Sequence, residues 1–592
     1  MVKFMFIKKN LLVFLLLFII TLPTFSILLN GQYFTMHDDQ HIARLYELEQ
    51  GIRQGAWYPR WVGDLGFGFG YPLFNFYPPL IYYISLLFHI VGFSYITSIK
   101  CMIILGILLG TFGIYLFARK TTSRFAGFAS AVLFAYFAYR ATSVYVRGAL
   151  AEFFTTSLLP FVFLTFFNLY KKHTIRNSVL FGITLALMVI GHLLVTLPAI
   201  IFLGFFFIFY IFLSEERLSF LLHSLLSGLI GFGLSAFFWI PSLLEKKFTF
   251  TDKILTSELA DYVIHFVYPH QLWYSPWGFG GSIPGPEDGI SFAVGKIYIG
   301  LTIISFILFL LYLHITSQKK QKLEQYKMYA LFLFMLLFSF FMMIPYSNGL
   351  WRIFSPLAYL QFPWRFLSFV NIFIALVAGA TVHFSGEIIK TFKHPQNFNI
   401  YTQIIGTICI VFVVILIQSK YFKPFKLLIV TDAERTSREE IAWNISKSSF
   451  EFVPNGIRTK KSQYNTTVPD LSQKDIPKQS YEILMGQAKV LVKNNKYHQK
   501  EYFIQTSEQT IFRLNTFNFP GWTAYLNGTK LDITDDNDFK LITVVIPSGQ
   551  HEMLFKFEDT FVRKLAEFIS LFTFLILIGW TLKKFYFVNS KR

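Results

Sequence analysis

Apolar runs of about 20 residues recur along this chain of 592 residues. A helix needs about 20 consecutive apolar residues to cross the roughly 30 Å hydrocarbon core of a bilayer. Because a segment in lipid must satisfy its own backbone hydrogen bonds, a chain of such runs folds as a bundle of membrane-crossing helices. The composition agrees, since 54% of the residues are hydrophobic and only 15% are charged. The predicted fold class is therefore an all-α polytopic membrane protein.

About twelve runs are predicted to cross the membrane, which places both termini on the inner side. The predicted spans lie at about 11–29, 98–118, 125–140, 150–170, 178–192, 194–213, 219–241, 297–316, 328–345, 366–384, 400–418 and 563–586. The first run follows Lys3, Lys8 and Lys9 and lacks a small-residue cleavage motif. It is interpreted as an uncleaved signal anchor.

The apolar stretch at about 76–92 is predicted not to cross the membrane. If it did cross, the basic loops that follow would all fall outside, against the rule that Lys and Arg collect on the inner side. Tyr77-Pro78-Pro79 also interrupts any helix there, and aromatic residues crowd the stretch as they do at a membrane interface. The net charge of +19 is then explained by inner loops, and nucleic acid is not expected as a partner.

Four longer segments are left on the outer side, namely 30–97, 243–296, 346–365 and 420–562, together with a short loop at 140–149 and the turn at Gly191-His192. The segment 420–562 is predicted to be a β-sandwich-like domain, because short runs of alternating polarity replace the long apolar ones. Asn527-Gly528 between two such runs predicts a tight hairpin turn. The predicted domains are a transmembrane domain over 1–419, this β-rich domain over 420–562, and a last helix with an inner tail over 563–592.

Charged residues are almost absent from the middles of the predicted spans and collect at the outer ends instead. Examples are Arg147, Glu152, His192 and Arg365. A transporter of ions or charged solutes is expected to carry charges near the midplane and broken helices. Two cysteines, both inside apolar runs, make a disulfide framework or a cysteine metal site unlikely by composition. The pattern favours chemistry at the outer surface on a substrate held by lipid.

Asp38 and Asp39 follow the first span, at the start of a predicted juxtamembrane helix. Adjacent carboxylates near lipid headgroups repel each other and anionic lipid, so their position needs an explanation. One alternative is helix capping, which stabilises a helix by roughly 1 kcal/mol. The other is a catalytic or ligand-binding role.

The first outer loop contains the motifs His37-Asp38-Asp39, Ala43-Arg44, Trp57-Tyr58-Pro59-Arg60 and Pro78-Pro79-Leu80. In these motifs it resembles the first outer loop of GT-C glycosyltransferases, which are multi-helix enzymes that use polyprenyl-phosphate-linked sugars. Tyr145-Val146-Arg147-Gly148 and Phe362-Pro363-Trp364-Arg365 are similar to a narrower bacterial group, named 6-pyruvoyl-tetrahydropterin-synthase-related membrane proteins. The sequence shows no feature of a pterin enzyme. The resemblance covers most of the chain and implies a GT-C-like transmembrane domain.

The resemblance implies roles for the acidic residues. An acid in the first outer loop acts as general base, or orients the acceptor, opposite the departing lipid phosphate, so that the anomeric carbon is inverted. Asp38 matches the leading acid of that loop and Asp39 its follower, so Asp38 is the first candidate. Glu152 is a second candidate acid, for hydroxyl positioning or metal binding. The alternative for Glu152 is a favourable carboxylate at a helix N-terminus, worth about 0.3–1 kcal/mol.

The departing phosphate requires cationic or N–H donors. Arg365, after Trp364, is the first candidate, Arg147 the second and His192 the third. Interfacial snorkelling beside a tryptophan is the alternative for Arg365, and a hydrogen-bonded helix-end histidine is the alternative for His192. Many relatives carry Lys or His before Pro-Pro-Leu to contact the phosphate. This chain has Tyr77 there, so that contact is in doubt or passes to Arg365.

The outer loop 243–296 is a candidate sugar-binding loop. It is rich in glycine and aromatic residues, and the faces of Trp273 and Trp277 suit the C–H surface of a sugar. Glu287 and Asp288 are candidate oxygen ligands for a divalent cation such as Mg²⁺ or Mn²⁺, although the sequence shows no complete ligand set. The alternative is a flexible interfacial loop with belt tryptophans.

The leading hypothesis is a glycosyltransferase of the bacterial cytoplasmic (inner) membrane, with its active face and β-rich domain outside. Its expected partners are a polyprenyl-phosphate sugar donor, membrane lipid, and a glycan, lipid or protein acceptor of the cell envelope. The alternatives are a transporter or flippase of lipid-linked glycans and a non-catalytic assembly scaffold. Convergence of Asp38, Glu152, Arg147 and Arg365 on one outward cavity would discriminate the enzyme from these.

Overall fold

The computed structural model describes residues 2–256, 258–316, 323–392 and 397–589. Parts of two predicted inner loops, 317–322 and 393–396, lie outside the described residues. Within the described part of the chain, nine helices are long and apolar enough to cross a membrane. They are Tyr95–Thr121, Leu150–Lys171, Leu193–Leu213, Arg217–Leu234, Lys296–Thr316, Tyr326–Met343, Pro363–Thr391, Phe398–Tyr421 and Phe561–Lys583.

Shorter apolar helices account for the other three predicted spans. They cover Leu11–Thr24, Arg124–Ala135 and Ile175–Gly191. A fourth, Leu80–Ile90, has 11 residues and is about 16 Å long at 1.5 Å per residue. That is about half of the hydrocarbon core, which agrees with the prediction that the stretch 76–92 does not cross. The predicted fold class, a helical polytopic membrane protein with a C-terminal β-rich region, is confirmed.

The chain forms two compact units, neither of them continuous in sequence. The first contains residues 1–37, 100–232 and 260–429, and the second contains 38–99, 233–259 and 430–592. The shorter helices of the first unit are Ala138–Ala141, Pro269–Trp273 and Asn348–Ile353, with a π-helix at Thr142–Val146. Those of the second are His41–Arg53, Leu73–Phe76, Ala236–Glu245, Thr251–Thr256, Asp432–Arg435 and a π-helix at Glu440–Ile445.

The helix Leu367–Thr391 forms the core of the first unit and is buried along almost its whole length. It packs against Lys296–Thr316 and Arg124–Ala135. Small residues allow this close packing, because a Cβ at Gly379 would lie 2.0 Å from the hydroxyl of Ser130. Two short strands of the same unit, β1 (Tyr33–Phe34) and β2 (Leu427–Leu428), pair antiparallel.

Ten further strands form the β-rich part of the second unit. They are β3 (Thr459–Lys461), β4 (Thr467–Pro469), β5 (Tyr481–Met485), β6 (Ala488–Asn495), β7 (Gln499–Thr506), β8 (Thr510–Phe517), β9 (Trp522–Leu526), β10 (Thr529–Leu531), β11 (Leu541–Ile546) and β12 (Gly549–Phe557). A five-stranded sheet has the order β10-β9-β12-β7-β6 and a three-stranded sheet the order β11-β8-β5. Tyr502 and Phe555 of the first sheet pack on Phe512 of the second, with ring centroids 5.3 and 5.8 Å apart.

The predicted hairpin at Asn527-Gly528 is confirmed. Both residues have positive φ, 50° and 81°, as a two-residue type I′ turn requires. The flanking strands β9 and β10 pair with Leu526 opposite Thr529.

A buried ion pair joins helices of the second unit. The Arg563 Nε lies 2.9 Å from Glu245 Oε2, and both side chains are almost inaccessible to solvent. Asn75 Nδ2 donates to the same carboxylate at 2.8 Å, so the helix Leu73–Phe76 is also held to Glu245. A buried charge pair of this kind requires its partners, because either ion left alone is strongly destabilising.

Candidate functional site

Glu152 is the centre of a buried charge cluster in the first unit. It lies in the first turn of Leu150–Lys171 and is 2% exposed. Arg147 binds it through both terminal nitrogens, with Nη1 2.9 Å from Oε1 and Nη2 2.8 Å from Oε2. The Tyr139 hydroxyl donates to Oε1 at 3.1 Å and accepts from Arg147 Nη1 at 2.8 Å. Such bidentate, charge-assisted contacts fix the geometry of both side chains.

Local backbone geometry brings Arg147 and Glu152 together. A π-helix ends at Val146, and Gly148 follows Arg147 with φ of +68°. A Cβ on Gly148 would also lie 2.5 Å from Met36 Sδ, so only glycine fits this tight turn. Single-turn π-helices occur frequently at functional sites.

Arg365 adds a second guanidinium group to the same carboxylate. Its Nε lies 3.3 Å from Glu152 Oε2, and its Nη1 donates to the Leu360 carbonyl at 2.9 Å. Trp364 contributes its ring face to Arg147, whose Cζ lies 4.6 Å from a ring centroid. Two guanidinium groups around one carboxylate leave the cluster with an excess of positive charge. This arrangement suits an anionic ligand such as a phosphate.

His192 lies in the turn between Ile175–Gly191 and Leu193–Leu213, and electrostatically it is within range of Glu152. Its Nδ1 accepts a hydrogen bond from the Val195 backbone N–H at 3.2 Å, so it caps the following helix. A ring nitrogen that accepts in this way carries no proton. The structure therefore shows the alternative that was given for His192, a histidine hydrogen-bonded at a helix end.

Two further polar residues of the first unit, Ser282 and His265, were missed by the sequence reasoning. Trp364 Nε1 donates to Ser282 Oγ at 3.2 Å, and Ser282 Oγ lies 2.9 Å from His265 Nδ1. The Ser282 hydroxyl accepts from the indole and is placed to donate to the imidazole. The loop after Ala260 is thus tied to the tryptophan that covers Arg147. Neither residue stands in a recognisable motif, so no sequence signal marks the pair.

The two loop tryptophans have other neighbours. The Trp273 side chain is 52% exposed, and the ammonium of Lys296 lies 5.6 Å from its ring centroid. Trp277 packs on Tyr421, with ring centroids 4.7 Å apart. Trp364, by contrast, contacts the Glu152 cluster directly. The predicted sugar-binding role of Trp273 and Trp277 stays a prediction.

Glu287 and Asp288 lie in the same loop. Asp288 accepts from Gln271 Nε2 and from the Ile283 backbone N–H, each at 2.9 Å, so both of its oxygens already hold the loop. Among the described residues no three His, Cys, Asp or Glu side chains come close enough together to hold a metal ion. Mg²⁺ takes octahedral oxygen coordination, and these two residues alone do not complete it.

Asp38 and Asp39 lie in the second unit and differ in environment. The helix His41–Arg53 begins after Gln40, so neither aspartate is its N-cap residue, and the Gln40 side chain forms no cap. Asp39 Oδ2 lies 2.7 Å from Arg435 Nη2, and Arg435 also binds Glu440. Asp38 is exposed to solvent. The first aspartate is therefore accessible, whereas the second is held in an ion pair.

Arg44 lies against Tyr77, the residue that stands before Pro78-Pro79-Leu80 in this chain. Its guanidinium carbon lies 3.7 Å from the ring centroid of Tyr77, and its Nη2 donates to Glu451 Oε1 at 3.1 Å. Burial raises the pKa of the Glu451 carboxyl, Arg44 opposes this rise, and Asp38 adds to it. Asp38 therefore lies within electrostatic range of Glu451. Tyr77 stands where many relatives carry Lys or His, but the guanidinium group of Arg44 lies against its ring.

The comparison with protein families gives one match. A model described as a 6-pyruvoyl-tetrahydropterin synthase related domain of membrane proteins covers residues 74–424, more than half of the chain. No curated protein matches this sequence.

Solved structures of membrane glycosyltransferases match at low identity. The arabinofuranosyltransferase AftD from Mycobacteria is 13% identical over 71% of this chain and 27% of its own, with a TM-score of 0.45. The oligosaccharyltransferase of Archaeoglobus fulgidus is 12% identical over 70% and 56%, with a TM-score of 0.44. ArnT from Cupriavidus metallidurans, bound to undecaprenyl phosphate, is 14% identical over 71% and 89%, with a TM-score of 0.27. The chain spans about a quarter of the length of the mycobacterial protein.

Proposed function

The chain belongs to the family of 6-pyruvoyl-tetrahydropterin synthase related membrane proteins, and we propose that this member is a membrane glycosyltransferase. It takes a sugar from a polyprenyl-phosphate donor at the outer face of the bacterial cytoplasmic membrane. The acceptor is a glycan, lipid or protein of the cell envelope.

The observation that carries this proposal is the pair of guanidinium groups on Glu152. Arg147 is bound to Glu152 through both terminal nitrogens, and Arg365 Nε lies 3.3 Å from Glu152 Oε2. Arg365 is therefore the proposed contact for the departing phosphate, with Arg147 and Glu152 as positioning residues. Positive charge fixed in advance where negative charge develops stabilises the transition state, and more so in a site that excludes water.

The position of the cluster supports a donor carried by lipid. Glu152 lies in the first turn of one apolar helix, and Arg365 comes just before the start of another, Leu367–Thr391. A polyprenyl chain lies among such helices while its phosphate stays at their ends, where the cations are.

Asp38 is the proposed general base. It is exposed and lies within electrostatic range of Glu451, the partner of Arg44, whereas Asp39 and Glu152 are each bound to arginine. In the proposed step an acceptor hydroxyl gives its proton to Asp38 while its oxygen bonds to the anomeric carbon. The bond from that carbon to the phosphate oxygen breaks, and the phosphate leaves with the electron pair. The anomeric centre is inverted.

The experiment is sugar transfer by the full-length protein in lipid nanodiscs, with radiolabelled sugars on polyprenyl monophosphate or diphosphate and an extract of envelope glycans as acceptor. Transfer from at least one donor that is lost in Asp38→Asn supports the proposal. Transfer unchanged in Asp38→Asn overturns the assigned base. Absence of transfer from every donor contradicts the enzyme and favours the scaffold. A parallel reaction with EDTA tests whether Glu287 and Asp288 serve a divalent cation.

A further inference from the structure

The exposed face of the five-stranded sheet contains a groove of about 420 Å³ above its central strand β12. We propose that this sheet groove binds a neutral oligosaccharide, at a site separate from the transfer chemistry. The side chains that line it and carry the argument are Lys493, Glu501, Tyr525, Glu552, Leu554, Lys556 and Glu558. Its volume lies within the usual range of ligand sites, about 300–1,000 Å³.

The register of the strands explains the apolar floor of the sheet groove. Leu554 of β12 lies opposite Tyr525 on β9 and Glu501 on β7. Alternate residues such as Met553 and Phe555 point to the opposite face and are buried in the core. Leu554 and the ring of Tyr525 therefore provide an apolar surface in an otherwise polar face, which suits the C–H side of a sugar ring.

Acidic and basic groups alternate around this floor. Lys493 Nζ lies 2.6 Å from Glu552 Oε1 at one end. At the other end, Glu558 accepts from the Tyr525 hydroxyl at 3.3 Å and lies 3.6 Å from Lys556 Nζ. Glu552 and Lys556 are four residues apart on one strand, about 13 Å at ~3.4 Å per residue. The site is long enough for a short chain of rings.

This charge pattern selects a polyhydroxylated, uncharged ligand. A sugar hydroxyl can donate to a carboxylate and accept from an ammonium group at the same time, so alternating acids and lysines match it. The lining carries three carboxylates and two ammonium groups, which disfavours phosphate and nucleic acid. An extended peptide would pair with a free sheet edge, whereas the sheet groove is on a face.

Binding here does not require that the protein transfers a sugar. Binding is measured directly, so that failure of this proposal is distinguishable from failure of the proposed transferase. If the protein binds glycan through the sheet groove but transfers no sugar, only the proposed transferase activity is contradicted.

The test is fluorescence anisotropy with the full-length protein in nanodiscs and end-labelled tetrasaccharides of α- and β-linked glucose, mannose, galactose and N-acetylglucosamine. We expect saturable binding of at least one tetrasaccharide, weakened at least tenfold by Tyr525→Ala and by Lys493→Ala. Tyr464→Ala is the matched control, because Tyr464 is a 71% exposed tyrosine elsewhere in the β-rich part and should leave affinity unchanged.

Three results would overturn the proposal. The first is no saturable binding of any of the tetrasaccharides. The second is binding that Tyr525→Ala and Lys493→Ala leave as strong as in the unmodified protein. The third is binding of a labelled alanine-rich peptide in preference to every sugar. If Tyr525→Ala lowers the melting temperature, the affinity of Lys493→Ala decides whether the proposal holds, since the Lys493 side chain is exposed and is not part of the core.

Discussion

Arg147 and Glu152 form a bidentate ion pair with N–O distances of 2.9 and 2.8 Å, and both side chains are buried. The pair lies at the start of an apolar helix, where Arg147 without Glu152 would be an uncompensated charge in a poorly solvated site. Its consequences for stability and for binding can be measured separately.

Removing Glu152 alone should destabilise the protein more than removing Glu152 together with Arg147. We expect Glu152→Leu to lower the free energy of unfolding by about 3–5 kcal/mol, because the buried guanidinium of Arg147 is left unpaired. Arg147→Met should lower it less, because Arg365 Nε still lies 3.3 Å from Glu152 Oε2. The double variant Arg147→Met/Glu152→Leu should lose less than the sum of these single variants. Thermal unfolding in nanodiscs measures this, with exposed Glu215→Gln as control. Simple additivity would contradict the coupling.

Arg365→Gln should weaken donor binding while the fold is kept, because Arg147 still compensates Glu152. We expect a loss of about 1.5–3 kcal/mol in binding of polyprenyl phosphate, the range for hydrogen bonds to charged groups. Binding of fluorescent polyprenyl phosphate to nanodiscs is the measurement. Arg352→Gln, at an exposed arginine of the same unit, is the matched control. Equal effects of the two variants would rule out a specific phosphate contact.

The two adjacent aspartates should separate in their effects. Asp38→Asn should lower turnover by about 10²–10⁴-fold, the usual contribution of a general base, with little change in melting temperature. Asp39→Asn should instead reduce stability, because it removes the 2.7 Å contact with Arg435. Rates and melting temperatures of both variants are compared in the same preparation. The reverse pattern would transfer the catalytic role to Asp39.

Glu47 should make stability depend on pH. It is buried and accepts backbone N–H bonds from Gly63 and Asp64 at 3.0 and 3.2 Å. Burial, and then the charge of Asp64, raise the pKa of its carboxyl well above the usual range, although the two backbone bonds oppose this. The folded state therefore holds the proton to a higher pH than the unfolded state does.

The resulting contribution to stability is fully present below the unfolded pKa of about 4.3 and is lost as pH rises through the folded pKa. The slope is at most about 1.4 kcal/mol per pH unit for one group. Denaturant unfolding from pH 4 to pH 8 should show this fall in the unmodified protein and a flatter profile in Glu47→Gln. Exposed Glu508→Gln is the control. Parallel profiles for Glu47→Gln and the unmodified protein would contradict the assignment.

His192 should behave as a helix cap. We expect His192→Ala to cost about 1 kcal/mol of stability and His192→Asn to recover most of it, because asparagine also caps helices. Melting temperatures measure this, and transfer rates measured beside them test the alternative. A large loss of turnover in His192→Asn with an unchanged melting temperature would show a catalytic role instead.

Local patterns predicted the elements well. The positions of the spans follow from the length of apolar runs, and the hairpin at Asn527-Gly528 follows from the positive φ that its turn requires. The short helix Leu80–Ile90 was expected not to cross the membrane, because a crossing there would place the later basic loops on the outer side. The prolines that precede the helix gave the second reason. The family was recognised from motifs around Arg147 and Trp364, and the match over 74–424 confirms it.

The partners of the candidate residues were not predictable in the same way. Nothing in the sequence indicates that Arg365 shares Glu152 with Arg147, or that Ser282 links Trp364 to His265. These contacts join segments far apart in the chain, and which side chains meet depends on helix packing rather than on local spacing. Arg44 shows the same point, since it stands in a recognised motif but its position over Tyr77 is a tertiary contact.

The sequence by itself determined that this chain is a helical membrane protein with a β-rich C-terminal part, because solvation in lipid and turn geometry act over a few residues at a time. It also predicted that charged residues collect at the outer ends of the helices. Only the tertiary structure decided that Asp39 is held by Arg435 while Asp38 is exposed, and that Glu152 is surrounded by guanidinium groups. The reason is that the state of an ionisable group depends on burial and on which opposite charges lie within a few ångströms.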